Sequence, residues 1–229
     1  ILSALFYQMF GDPATNPMGW PVGFVRELVE RIERRNPSEE PDSTFKYVDI
    51  ACVDGTLGRI TDYRELMRAE APSRARQVMR ANDVLISTVR PYLRATALVP
   101  PDLDKEICST GFCVLRAKNR KGYGYLYAIS RLQWFTDSLN GMARGASYPA
   151  VTDNDVLGLH IPCPDNRRAM ERLDAPVLHL LEMQRQRMTA VRELERLFAG
   201  ILHRAFIGDL TAKWREAHMK ELLAEMEAQ

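Results

Sequence analysis

Along its last third the chain repeats apolar residues in a four-three rhythm. Val177, Leu180, Gln184, Arg187, Val191, Leu194, Phe198, Ile201 and Ala205 form one seam, flanked by Leu181, Met188, Leu197 and Leu202. This spacing predicts one long helix, from Leu173 to about Ala205, packed along most of its length against a partner helix. Pro176 suits the first turn, where a missing N–H costs nothing. Gln184 and Arg187 put polar groups in the seam, which weaken it and can fix its register. The simpler alternative is an amphipathic helix lying on its own domain. Length argues against that, since globular helices average about 11–12 residues. A coiled-coil arm is expected, paired through Leu180, Gln184, Arg187, Val191, Leu194, Phe198, Ile201 and Phe206.

Before that arm the pattern is mixed. Residues 1–12 read as the end of a helix stopped by Gly11. Phe24–Ile32 reads as a short helix, and 36–43 as a polar loop. Phe45–Val53 is rich in β-branched and aromatic residues and turns at Asp54-Gly55, which predicts a strand entering a hairpin. Leu66–Met79 is ambiguous and arginine-rich. Asp83–Val89 and Ala95–Val99 read as strands joined by Arg90–Arg94, and Ile107–Leu115 as another. Tyr123–Asn140 has helical spacing, Thr152 with Asp155 marks a short capped turn, and Leu157–Ile161 is a last strand before Pro162–Pro164. Strands and helices mix without βαβ regularity, so the fold class is α+β: a globular mixed domain with a twisted sheet, then the long helix.

The opening has an echo. Leu5–Phe10-Gly11-Asp12 recurs as Leu202–Phe206-Ile207-Gly208-Asp209, with one extra residue before Gly-Asp and a tryptophan downstream of each, Trp20 and Trp214. The repeating unit would be a helix ending, a globular domain and the next helix. Starting at Ile1 in mid-helix, the chain reads as one period of a longer or duplicated molecule, divided as 1–12, 13–164 and 165–229.

At 229 residues, one globular unit plus an extended element fits. Apolar content of 46% and charge of 27% are ordinary, and no apolar run is long enough to cross a bilayer. Nothing at the start resembles a signal peptide. Cys52, Cys108, Cys113 and Cys163 lack CxxC spacing and clustered histidines, so reduced core thiols in a cytoplasmic protein are expected rather than zinc. The net charge of +1 hides a pattern: residues 57–100 carry eight Lys/Arg against four Asp/Glu, and 116–148 six against one. Acid gathers at Glu39, Glu40 and Asp42, and at Asp102, Asp104 and Glu106. A local polyanion site accounts for this; ordinary solvated arginines are the alternative.

Enzyme signatures are missing: the sequence has no GxSxG, HExxH, Walker-type loop or GxGxxG. No catalytic residue, metal site or cofactor is expected. A cysteine–histidine enzyme is the weakest reading, because Cys108 and Cys113 lie on apolar strand patterns. Nucleic-acid chemistry has more support. Arg90, Tyr92 and Arg94 share a tight strand connection; Lys118, Arg120 and Lys121 form a second basic loop; Arg144, Ser147 and Tyr148 form a third. Guanidiniums bond guanine edges or clamp phosphates, and loops on a rigid domain can present them. Arg59, Arg74 and Arg76 in the weakly patterned 59–80 region join this candidate DNA-binding set.

Several phrases, in order, resemble the DNA specificity subunits of type I restriction–modification systems. They are Phe6–Asp12 with Gly19-Trp20, Asp83–Arg94, Ser109–Arg116, Gly145–Thr152 with Ile161-Pro162, and Ile201–Thr211. The resemblance implies a target recognition domain at about 13–164 and a helical spacer. Members of that family usually hold two such domains, each reading half of a bipartite site in double-stranded DNA. Their spacer helices bind methyltransferase subunits, which carry S-adenosylmethionine and modify adenine; a motor-nuclease subunit can join. This chain departs from the pattern by having one domain, so it is either half of a subunit or pairs as a homodimer through its helix. Family-shared Ser109–Arg116 then reads as scaffold, Arg90 and Arg94 as phosphate contacts, and Lys118, Arg120, Lys121 and the 59–80 region as specificity candidates. The alternative function is a coiled-coil scaffold whose globular domain binds another protein.

Overall fold

The computed structural model describes residues 1–39, 42–164 and 167–227. Glu40 of the acidic run, residues 165 and 166 at the start of the expected spacer segment, and 228–229 lie outside the described residues. The chain divides into two units, 1–180 and 181–229.

In the first unit, helix α1 (Leu2–Phe10) buries Phe6 and Phe10 against Tyr125, with ring centroids 5.5 and 4.9 Å apart. Gly11 ends it at φ 77°, a left-handed conformation that glycine adopts without steric cost. The Trp20 indole N–H donates to the Phe10 carbonyl at 3.2 Å and fixes the turn that follows.

The stretch 24–32 corrects the expected short helix. It holds strand β1 (Val22–Phe24), a single turn α2 (Val25–Leu28) and strand β2 (Val29–Glu30). Backbone pairing overrides the helical spacing here, because Val29 and Glu30 lie opposite Ala117 and Arg116. Strand β3 (Thr44–Val48) also stops earlier than expected. The Asp49 carboxylate accepts the Ala51 amide at 3.0 Å, making a 3-10 turn before β4 (Val53–Asp54) and β5 (Arg59–Ile60) close the expected hairpin.

Strands β6 (Arg64–Met67) and β7 (Ala75–Val78) resolve the ambiguous segment, and β8 (Val84–Ser87) and β9 (Thr96–Leu98) pair antiparallel. The expected strand 107–115 is two strands, β10 (Ile107–Ser109) and β11 (Phe112–Ala117), in different sheets. Buried Gln77 enforces the break: its amide N–H group donates to the Ser109 and Phe112 carbonyls, both at 2.8 Å, across the intervening turn. Among the described residues one sheet runs β6-β3-β10-β7, a second β2-β11-β8-β9-β5-β4, and β1 forms a two-stranded third with a strand near residue 161. Met79, Leu85, Ala97, Leu103, Cys108 and Phe112 form the heart of an apolar core cluster.

The expected helix 123–140 is also two, α3 (Tyr123–Ser130) and α4 (Gln133–Met142). Every residue of α3 is buried, and its close approach to the chain at Leu173 needs Gly124, where a Cβ would lie 2.5 Å from the Leu173 carbonyl. Helix α5 (Asp153–Leu157) carries the expected capping box: the Thr152 hydroxyl accepts the Asp155 amide at 3.2 Å, and Asp155 accepts the Thr152 amide at 2.8 Å. Strand β12 (His160–Pro162) pairs antiparallel with β1, and α6 (Arg167–Glu171) follows.

Helix α7 runs for 33 residues, Asp174–Phe206, as the four-three rhythm requires. Its start belongs to the first unit: Val177 is fully buried, and the Asp174 carboxylate accepts the Gly122 and Gly124 amides at 2.8 and 2.7 Å. The compact unit therefore continues past residue 164.

The second unit holds the remainder of α7, then α8 (Ala212–Ala217) and α9 (Met219–Glu227). Leu194, Phe198, Ile201 and Phe206 are 65, 67, 55 and 84% exposed, so the apolar seam has no cover among the described residues. Gly208 takes φ 75° after α7 as Gly11 does after α1, which makes the sequence echo a conformational one.

Candidate nucleic-acid interface

Candidate residues distant in sequence meet at one end of the first unit. The β8–β9 connection is a 3-10 turn, Pro91–Leu93, bracketed by Arg90 at φ 49° and Arg94 at φ 54°. Non-glycine residues adopt left-handed backbone only where surrounding structure imposes it. Here the Arg90 amide donates to the Pro149 carbonyl at 2.7 Å, and Val89 bridges to Ala150, which bridges to Arg144. The 143–150 loop is thus stitched to the 90–94 loop. Across that seam the Arg90 guanidinium lies 4.6 Å from the centre of the Tyr148 ring, a cation–π stack. Tyr148 is 69% exposed, Ser147 and Tyr92 are also exposed, and Arg144 reaches to 3.6 Å from Asp155. Rigid, cationic and aromatic, this pair of loops can grip phosphates and stack on sugars or bases.

Arg74 stands at the same end. Its carbonyl accepts the Thr110 amide at 2.9 Å, and the next carbonyl, Gly111, accepts the Thr88 amide at 2.9 Å. Lys118, Arg120 and Lys121 do not join them. The antiparallel register sets Phe112 against Ser87 and Leu115 against Val84, so the 118–121 loop lies at the opposite end of this strand pair from Arg90.

Some candidate guanidiniums are engaged within the fold. Arg94 donates to the Arg131 carbonyl and to the Gln133 side chain, holding the break between α3 and α4. Arg120 donates to the Ala81 carbonyl at 2.7 Å and sits 3.6 Å from Asp83. Arg76 donates to the Pro72 and Ala75 carbonyls, and Arg59 is half-buried on β5. Arg94→Ala is accordingly expected to lower stability by about 1.5–3 kcal/mol, the usual worth of a hydrogen bond to a charged group. Thermal unfolding would register that loss, while DNA affinity measured well below the transition stays within about twofold.

No protein-family model matches the chain. Among curated proteins it is similar to the type I restriction enzyme EcoDI specificity subunit of Escherichia coli, at 20% identity over 166 residues. That match covers 71% of this chain and 36% of that protein. Among solved structures it is similar to the HsdS subunit from Thermoanaerobacter tengcongensis, with a TM-score of 0.60 and 41% identity over 79% of this chain and 48% of that one. It is also similar to a chain from a study of complex assembly and conformational transition of the type I R-M system, with a TM-score of 0.63 and 42% identity over 81% of this chain and 49% of that one. Over about four-fifths of its length the chain resembles type I specificity subunits in both sequence and fold. It spans about half the length of these solved relatives and about a third of the curated one.

Within the first unit, the phrase Ser109–Arg116 does structural work. Arg116 donates to Asp83 through two nitrogens, at 3.0 and 2.7 Å, and to the Val78 carbonyl at 3.0 Å, all buried. Burial pushes the Asp83 carboxyl up, and the Arg116 guanidinium opposes that rise; Asp83 in turn keeps Arg116 charged. Arg26, Arg31 and Arg34 escaped the sequence reading, because Glu27, Glu30 and Glu33 alternate with them and cancel their charge. A cation count along one face, rather than along a window, would have found them.

Proposed function

We propose that the chain is the non-catalytic, DNA-reading portion of a type I specificity subunit, in which the recognition domain (about 13–164) contacts one half of a bipartite site in double-stranded DNA. Arg90, joined to Tyr148 and linked through Ala150 to Arg144, at the end of the unit where Arg74 also stands, carries this reading. The similarity to type I specificity subunits over some four-fifths of the chain supports it. In this proposal α7 docks methyltransferase subunits, which hold S-adenosylmethionine and modify adenine, and a restriction subunit can join the same complex. Two copies paired through α7 would restore a two-domain reader. The expected location is the cytoplasm; among the described residues no helix is long and apolar enough to cross a membrane.

Selection of bound duplexes from a randomised pool, with the methyltransferase partner present, tests the reading. A short motif at fixed spacing supports a paired reader, and a single half-site supports one domain of a longer subunit. No enrichment would move the assignment to a protein-binding scaffold. Log affinity should fall linearly with log salt, by about 0.9 for each phosphate neutralised. Arg90→Ala should flatten that slope and weaken binding similarly across sequences; a changed preferred site would instead make Arg90 a base reader.

A further inference from the structure

A cleft of about 640 Å³ opens beside α5, with Arg26, Arg31 and Arg34 on one wall, Asp153 and Asn154 on the other, and buried Gln77 in its lining. Its place follows from the strand pairing. After β2 the chain runs antiparallel to β11, and the isolated bridge from Arg34 to Gln77 carries residues 31–34 back toward the end of the sheet where Arg90 lies. On the far wall, the Val151 amide donates to the Thr88 carbonyl at 2.8 Å, so α5 starts directly from the strand that leads into Arg90. Arg34 lies 3.8 Å from Asp153, and Arg144 lies 3.6 Å from Asp155 two residues on. Both contacts fall on the first turn of α5, so the cations of the cleft and those of the paired loops gather around the same helix end.

We propose that this cleft is a phosphate-binding extension of the DNA interface, in which Arg31 and Arg34 hold the backbone of a strand whose neighbouring phosphates lie on Arg90 and Arg144. The inference rests on the DNA-reading function proposed above and adds residues to it. Arg31 is exposed and engages no carboxylate or carbonyl among the described residues, so its guanidinium is open to a ligand. Arg26 is held in place by donating to the Leu157 carbonyl at 3.3 Å, and its guanidinium lies 4.9 Å from the Phe24 ring centre. Three guanidiniums outnumber the two carboxylates, Glu30 and Asp153, in the lining. A phosphodiester suits this arrangement better than a carboxylate metabolite, because Arg144 lies outside the cleft at the same end of α5 and a single small anion would reach only some of these cations.

The experiment is fluorescence anisotropy of a labelled, mixed-sequence DNA duplex titrated with the full chain over a series of salt concentrations. Arg31→Ala is expected to weaken binding and make the log–log salt slope shallower by about 0.9, with Arg31→Lys restoring most of the slope. Arg31→Ala combined with Arg34→Ala should lose about twice as much. Asp153→Asn, which removes a carboxylate from the wall, should tighten binding. Thermal unfolding of Arg31→Ala should match the parent chain, which separates lost contacts from lost structure. If the parent chain binds DNA and Arg31→Ala binds it with the same affinity and slope, the cleft is no part of the interface and the wider function stands. If the parent chain shows no DNA affinity at any salt, the wider function fails and this inference falls with it.

Discussion

Arg116→Leu is expected to destabilise the first unit by about 3–5 kcal/mol, the usual cost of removing one member of a buried ion pair. Asp83 is 1% exposed, and its carboxylate takes two donors from Arg116 and the Arg80 amide at 2.8 Å. Without the guanidinium, Arg120 at 3.6 Å is the nearest cation in this group, and it lies near the surface. The carboxylate would then be buried and largely unpaired. Burial already pushes the Asp83 carboxyl up. A carboxyl with a raised folded-state pKa destabilises the fold above that pKa and is relieved as the pH falls through it. The penalty in Arg116→Leu should therefore shrink on acidification, whereas a penalty due only to lost packing would not. Denaturant unfolding of both proteins at several pH values gives the comparison. Replacing Asp83 by leucine as well should recover part of the loss, because no unpaired buried charge remains.

The same pair explains what the sequence could and could not disclose. Asp83 and Arg116 look like two more surface charges until β8 and β11 align. Only then do their side chains meet across 33 positions of chain. Arg94 and Arg120 show the converse. Basic residues in turns read as candidate DNA contacts, and each also donates to a carbonyl, 37 and 39 positions away, that only the tertiary structure brings within reach. Local signals worked where the physics was local. Helix α7 follows from its four-three rhythm, the end of α1 from Gly11, and the α5 cap from Thr152 and Asp155. They failed where a second partner decided the outcome. Helical spacing runs through Leu132, yet the chain breaks there between α3 and α4, with the Arg131 carbonyl taken by Arg94. Apolar residues on both sides of Thr110-Gly111 looked like one strand, but Gln77 holds the turn that sends its halves into separate sheets. The paired loops were legible as separate basic segments; their union through Pro149 and Ala150 was not.

Leu194→Asp with Ile201→Asp should abolish pairing through α7 while leaving the first unit as stable as before. The two side chains sit seven residues apart on the same seam, 65 and 55% exposed, so they support no packing within the described chain. Covering each against a partner helix is worth about 1.5–3 kcal/mol, and placing a carboxylate in such an interface adds a desolvation cost. Two substitutions should thus weaken association by at least two orders of magnitude, since about 1.4 kcal/mol corresponds to tenfold. Aspartate within an exposed helix costs only about 0.5 kcal/mol per site, too little to melt a helix of this length whose start is fixed by buried Val177 and the Asp174 contacts. Sedimentation velocity of the chain alone, and of the chain mixed with methyltransferase subunits, separates the two partners the seam could serve. Loss of a dimer in the first measurement assigns the seam to a second copy, and loss of only the mixed complex assigns it to the methyltransferase. An unchanged profile in both would leave the exposed residues of α7 outside any interface and would remove the coiled-coil arm from the proposed architecture. Gln184 and Arg187 refine the same test: replacing them with leucine should strengthen pairing while loosening its register, because polar seam positions fix alignment at the expense of stability.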